Sequence, residues 1–152
     1  MLTSQKVIDR FQEGLSKLAD SGKLELAQQG HKASGKGIAS IEAKITSANL
    51  NKLVGVILAN DYLIPVSSGV KASRVPFGGT GGGGTSKYIE GLLSWVNIIK
   101  PGLSEKKKLS FVFAIAKTHK KEGIPTSGSY RFSQNGRRKN WILNGIEKQA
   151  EG

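Results

Sequence analysis

The sequence predicts an α+β fold: a long N-terminal helix, a small antiparallel hairpin with a long loop, and two to three C-terminal helices packed on it. Apolar residues recur at helical spacing from Val7. They alternate at strand spacing from Ile41, and helical spacing returns after Ser86.

Ser4 is an N-cap candidate for the first helix. Val7, Phe11, Leu15 and Leu18 follow at spacings of four, four and three, which puts them on one face. Lys6, Asp9, Arg10, Glu13 and Lys17 form the solvated face. Ser21-Gly22 is expected to end or bend the helix, unless Leu24, Leu26 and Ala27 continue it as far as Gly30. Ile41, Ala43 and Ile45 then alternate with Ser40, Glu42 and Lys44, as in a half-buried strand. Asn49-Leu50-Asn51 supplies a turn, and Leu53 to Ala59 supplies the antiparallel partner.

From Asn60 to Thr85 the sequence reads as a long irregular stretch, with Pro65, Pro76 and a tract rich in glycine from Gly78 to Gly84. Loops longer than about 12 to 15 residues are uncommon in compact domains and are usually functional or disordered. Ser86 caps a helix through Ile89, Leu92, Leu93 and Val96 that Pro101 must end. Ser104 caps another, with Leu109, Val112, Phe113 and Ala116 on one stripe and Phe111 and Ile115 beside it. So broad an apolar surface predicts a central core helix, though a strand over Leu109 to Ala116 fits the same run. Ser127 to Asn140 is polar and basic, and Trp141, Ile142 and Ile146 bring the tail back onto the domain.

At 152 residues the chain is expected to be a single domain, 1–152, with a flexible glycine-rich loop at about 78–85. It has no cysteine, so disulfides, thiolate metal sites and cysteine nucleophiles are excluded. No apolar run reaches the roughly 18 to 20 residues of a membrane span, and residues 1–10 lack the apolar segment of a secretory signal. A cytoplasmic origin and no membrane partner are expected. The net charge is +12, and between Lys100 and Lys139 eleven basic residues face two acids. Charge of this sign attracts phosphate or acidic protein surfaces.

No constellation for catalysis emerges. Gly30 to Gly37 approaches the phosphate loop G-x-x-x-x-G-K-[ST] but ends in glycine, and it leads from a helix into a strand. His31 and His119 lie too far apart to form a recognisable metal spacing, and no paired carboxylates suggest acid–base work. No enzyme activity, cofactor or metal is expected.

The back half carries a resemblance. Leu93-Ser94-Trp95-Val96, the run Phe111 to Lys117, Gly123-Ile124-Pro125 and the aromatics Tyr130 and Phe132 resemble the phage head–tail connector, or tail-completion (neck), family. Gly35 to Ile45, Asp61-Tyr62 and Gly69 resemble its front half, whereas the Gly78–Gly84 tract departs from it. The resemblance implies a virion protein, made in the host bacterial cytoplasm, that forms a ring of identical subunits such as a dodecamer. It implies contact with the portal and with other neck and tail proteins, around passing DNA. A closed ring needs heterologous interfaces. The loop residues Tyr62, Val66, Val70, Arg74 and Phe77 are candidates for one such interface. Lys120, Lys121, Arg131, Arg137, Arg138 and Lys139 are candidates for a patch facing DNA or the portal. The alternative is a small basic nucleic-acid-binding protein, since Arg131-Phe132 and Arg137 to Trp141 mix cations with aromatics.

Overall fold

The computed structural model describes residues 5–49, 51–78 and 86–152. Ser4, Leu50 and the glycines between Gly79 and Gly84 lie outside the described residues. The architecture is α+β: a long first helix, a two-stranded antiparallel sheet and several C-terminal helices.

Helix α1 (Gln5–Gln28) runs through Ser21-Gly22 without interruption. Gly22 is there for packing. A Cβ on it would sit 3.1 Å from Ile146 and 3.2 Å from the Trp141 ring. The helix ends where Gly30 adopts φ +83°. Its amide donates to the Ala27 carbonyl at 3.0 Å, and the His31 amide donates to that of Leu26 at 3.0 Å. This closure needs a left-handed residue, which explains glycine at the stop.

A one-turn helix α2 (Lys36–Ala39) precedes the sheet. Strands β1 (Glu42–Asn49) and β2 (Lys52–Leu58) pair from Glu42↔Leu58 to Asn49↔Lys52, with a bulge between Ile45 and Ser47. The predicted alternation holds up to the bulge: Ile41 is buried, and Ala43 and Ile45 are half-buried between exposed neighbours. The sheet lies on α1, where the Leu15 side chain occupies the space a Cβ on Gly55 would need.

The stretch after the hairpin is more ordered than its composition suggests. Helix α3 (Leu63–Ser68) and a 3-10 turn (Ala72–Arg74) occupy it, and Leu63, Ser67 and Val75 are buried. Pro65 falls in the first turn of α3, where a missing N–H costs nothing. Val70 forms an antiparallel bridge with Ile124, their amides donating to each other's carbonyls at 2.7 and 2.8 Å. The expected irregular loop from Asn60 is thereby corrected.

Helix α4 (Lys87–Ile99) is capped by the Ser86 hydroxyl, which accepts from the Ile89 amide at 3.3 Å. Helix α5 (Glu105–Glu122) resolves the helix-or-strand ambiguity of Leu109 to Ala116. The two helices pack chiefly on each other.

The apolar residues form two clusters. In the first, Ala19 and Leu26 of α1 meet Ile41, Leu63 and Trp141. The second joins Ile89 and Val96 of α4 to Val112 and Ala116 of α5. Helix α5 is therefore not central. Helix α4 is its main cover, and Leu109 and Phe111 each stay 38% exposed. Phe113 is half-buried against Phe77, with ring centroids 6.2 Å apart.

The tail returns as expected. Trp141 is 2% exposed and its indole N–H donates to the Leu63 carbonyl at 2.9 Å. A π-helical turn (Leu143–Glu147) then crosses α1, and a final turn, α6 (Lys148–Ala150), follows.

Candidate docking interface

The candidate loop residues divide between inside and outside. Val66 packs on the first cluster, Val70 is tied to Ile124, and Phe77 lies against Phe113. Tyr62 is 52% exposed with its hydroxyl end over Gly37, and Arg74 is exposed. Ile64, in α3, is 61% exposed.

The basic candidates divide in the same way. Arg137 reaches both oxygens of the buried Glu25 carboxylate at 3.3 Å. Glu25 also accepts from Gln29 Nε2 at 2.9 Å and from Asn135 Nδ2 at 3.1 Å. Arg138 donates to the Gln29 carbonyl, and burial pushes its guanidinium below the ordinary range. Its own carbonyl accepts from His31 Nε2 at 3.0 Å. Gln29, fully buried, donates through Nε2 to the Lys139 carbonyl at 3.0 Å. The Lys120 ammonium donates to the Val75 carbonyl at 3.3 Å. Arg131 stacks 4.8 Å from the Phe132 ring centroid, and Lys121 and Lys139 are exposed. So Arg137, Arg138 and Lys120 serve the fold itself. They pin the basic segment to the end of α1 and α5 to the 3-10 turn.

Five of the six stay exposed and Arg138 is half-buried, but Arg137, Arg138 and Lys120 also bond within the fold. The reason is a shortage of local partners. Residues 133–140 contain no regular element, so their backbone must be satisfied by α1 and α3. Gln134 N donates to the Gln28 carbonyl at 2.7 Å, and Asn140 N donates to that of Ser67 at 2.7 Å.

Both histidines have partners within the fold. Burial holds His31 below its ordinary value of 6.5, helped by the charge of Arg138. Burial also lowers His119, whose Nδ1 lies 2.7 Å from the Tyr88 hydroxyl. Among the described residues no three metal-ligating side chains converge. The Gly30–Gly37 segment leads into α2, but that helix is only four residues long. Gly35 there adopts φ +73° and Gly37 lies under Tyr62, so both glycines are explained by backbone and packing.

Large apolar side chains also face outward. On α4, Trp95 is 39%, Ile98 49% and Ile99 36% exposed. Trp95 and Ile99 are one turn apart on the same side of the helix. Leu103, before α5, and Lys106, Lys107, Ser110, Phe111 and Ala114 of α5 line an open depression of about 650 Å³. This surface is not evident from the sequence, where the broad apolar run around Phe111 predicts a central core helix. The available signal was an excess of apolar residues around both helices, more than one helix–helix contact can cover. Among the described residues, no helix is long and apolar enough to cross a membrane. Comparison with known protein families, with curated proteins and with solved structures finds no match to this chain.

Proposed function

We propose that the protein is a non-enzymatic assembly subunit of a tailed-phage virion, forming a ring in the neck between portal and tail. The observation that carries this reading is the uncovered side of α4: Trp95, Ile98 and Ile99, within one turn of each other, are each 36% to 49% exposed. Large apolar side chains clustered on a surface mark contact with another macromolecule. The α+β element order is also the one the resemblance implies. Tyr62, Ile64 and Arg74 on and after α3 offer a second outward surface, and a closed ring needs two different faces. The ring would seal the junction and let DNA pass.

Light scattering over a concentration series, with electron microscopy of the same samples, tests the reading. Discrete closed rings are expected, and Trp95→Asp with Ile98→Asp should dissolve them without unfolding the chain.

A second reading, a nucleic-acid-binding protein, is favoured by the charge of +12. It is weakened by the internal use of Arg137, Arg138 and Lys120. A monomer at every concentration that binds DNA at physiological salt would put this second reading first.

A further inference from the structure

The outward side of α5 combines features that the neck reading does not use. Lys106, Lys107, Lys117 and Lys121 are all exposed along it. Between them run short side chains whose polar groups are already satisfied. Ser110 Oγ donates to the Lys106 carbonyl at 3.0 Å, and Thr118 Oγ1 donates to the Ala114 carbonyl at 3.0 Å. Ala114, Phe111 and Leu103 complete a low floor, and the depression lies over its N-terminal half. The two carboxylates of the helix are engaged at its ends. Glu105 takes Lys108 Nζ at 3.2 Å, and Glu122 accepts the Ser127 amide and hydroxyl at 2.8 and 2.9 Å. The result is a cationic margin around an apolar floor on a helix of 18 residues, about 27 Å long.

We propose that this face of α5 docks an acidic amphipathic helix of another protein. Charge complementarity selects the occupant. A second copy is disfavoured because this chain carries +12 and α5 alone holds six lysines. DNA would satisfy the lysines but has no apolar group for Phe111 and Leu103 beyond its stacked bases. A helix with leucines on one side and carboxylates flanking them satisfies both parts, as helix-in-groove recognition does. The proposal rests on the reading of the protein as an assembly subunit and names the chemistry of one neighbour.

The test uses the full chain and three fluorescent probes. One is a helical peptide with leucines on one face and glutamates on the other. The second replaces its glutamates with lysines, and the third is a short DNA duplex. Anisotropy titrations at physiological salt should show binding of the acidic peptide alone. K106E/K107E should weaken it about tenfold, and so should Phe111→Ser, with circular dichroism unchanged for both. Equal binding of the lysine peptide would overturn the proposal. So would tighter binding of DNA, or binding indifferent to both variants. Ring formation by K106E/K107E separates the two readings. Rings with lost peptide binding support the proposal, whereas lost rings with intact peptide binding place α5 inside the ring contact and overturn it. A wild-type chain that binds the peptide but forms no ring counts against the neck reading alone.

Discussion

Arg137 and Glu25 are 112 residues apart in sequence, yet the guanidinium lies 3.3 Å from both carboxylate oxygens. The Glu25 side chain is 7% exposed and that of Arg137 is 50% exposed. The carboxylate therefore carries most of the cost of burial and needs its partners. It organises Gln29, Asn135 and Arg137 around one anion at the end of α1. The basic segment owes its path to this cluster.

Glu25→Ala should therefore destabilise the chain by about 2 to 3 kcal/mol, since it orphans buried amide donors. Arg137→Ala should cost only about 1 kcal/mol, because Gln29 and Asn135 still satisfy the carboxylate. Lys139→Ala, at an exposed side chain, should stay within about 0.5 kcal/mol. Urea unfolding of the three variants checks the order. Equal losses for Glu25 and Lys139 would remove the cluster from any structural role.

Two glycines offer a matched pair. A Cβ on Gly145 would come 2.8 Å from Glu25 Cβ and 2.9 Å from Gly22 Cα, with backbone on one side. Gly145→Ala should cost about 1 to 3 kcal/mol through overpacking. Gly14, in the same helix as Gly22, has nothing within 4 Å of a built Cβ. Gly14→Ala should stabilise by about 0.5 to 1 kcal/mol, the helix-propensity difference. Thermal melts showing the same sign for both would contradict this account of the crossing.

The two apolar clusters should open separately. Trp141→Ala removes a buried ring and its bond to Leu63, and should cost about 3 to 5 kcal/mol. Phe113→Ala, at a half-buried ring, should cost about 1 to 2 kcal/mol, below a full core aromatic. Hydrogen exchange should show α4 and α5 opening at lower free energy than α1. Uniform protection across the three helices would mean one cooperative core.

Stability should fall on mild acidification. His31 and His119 are both held below their ordinary value of 6.5, so the folded chain keeps them neutral where the unfolded chain takes up protons. That contribution is fully present above about pH 6.5 and declines as pH falls through it. Urea midpoints between mildly alkaline and mildly acidic buffer should drop, and His31→Gln with His119→Gln should flatten the profile. A wild-type midpoint constant over that range would refute the assignment.

Much of the fold was legible in the sequence because it is local. The Val7–Leu18 spacing, the Ile41–Ile45 alternation and the Ser86 cap each depend on residues within a turn or two. Helix α3 was not legible. Pro65 and Gly69 read as loop, and that short helix is held by the burial of Leu63 beside Trp141 and by the bonds of Ser67 to the tail. Short helices depend on tertiary packing because nucleation is unfavourable. Of the candidate loop residues, Tyr62 and Arg74 are exposed, whereas Val66, Val70 and Phe77 are half-buried.

The sequence by itself determined the α+β class, the long first helix, the hairpin and the concentration of charge between Lys100 and Lys139. These follow from periodicity and composition, which short-range sterics and solvation translate directly. Only the tertiary structure decided which cations face outward and which apolar residues stay uncovered. Arg137 and Lys139 are two residues apart, both basic and both exposed, yet it is Arg137 that clasps Glu25. That difference depends on where α1 ends in space, and a partner brought close by folding over a hundred residues leaves no mark on local spacing.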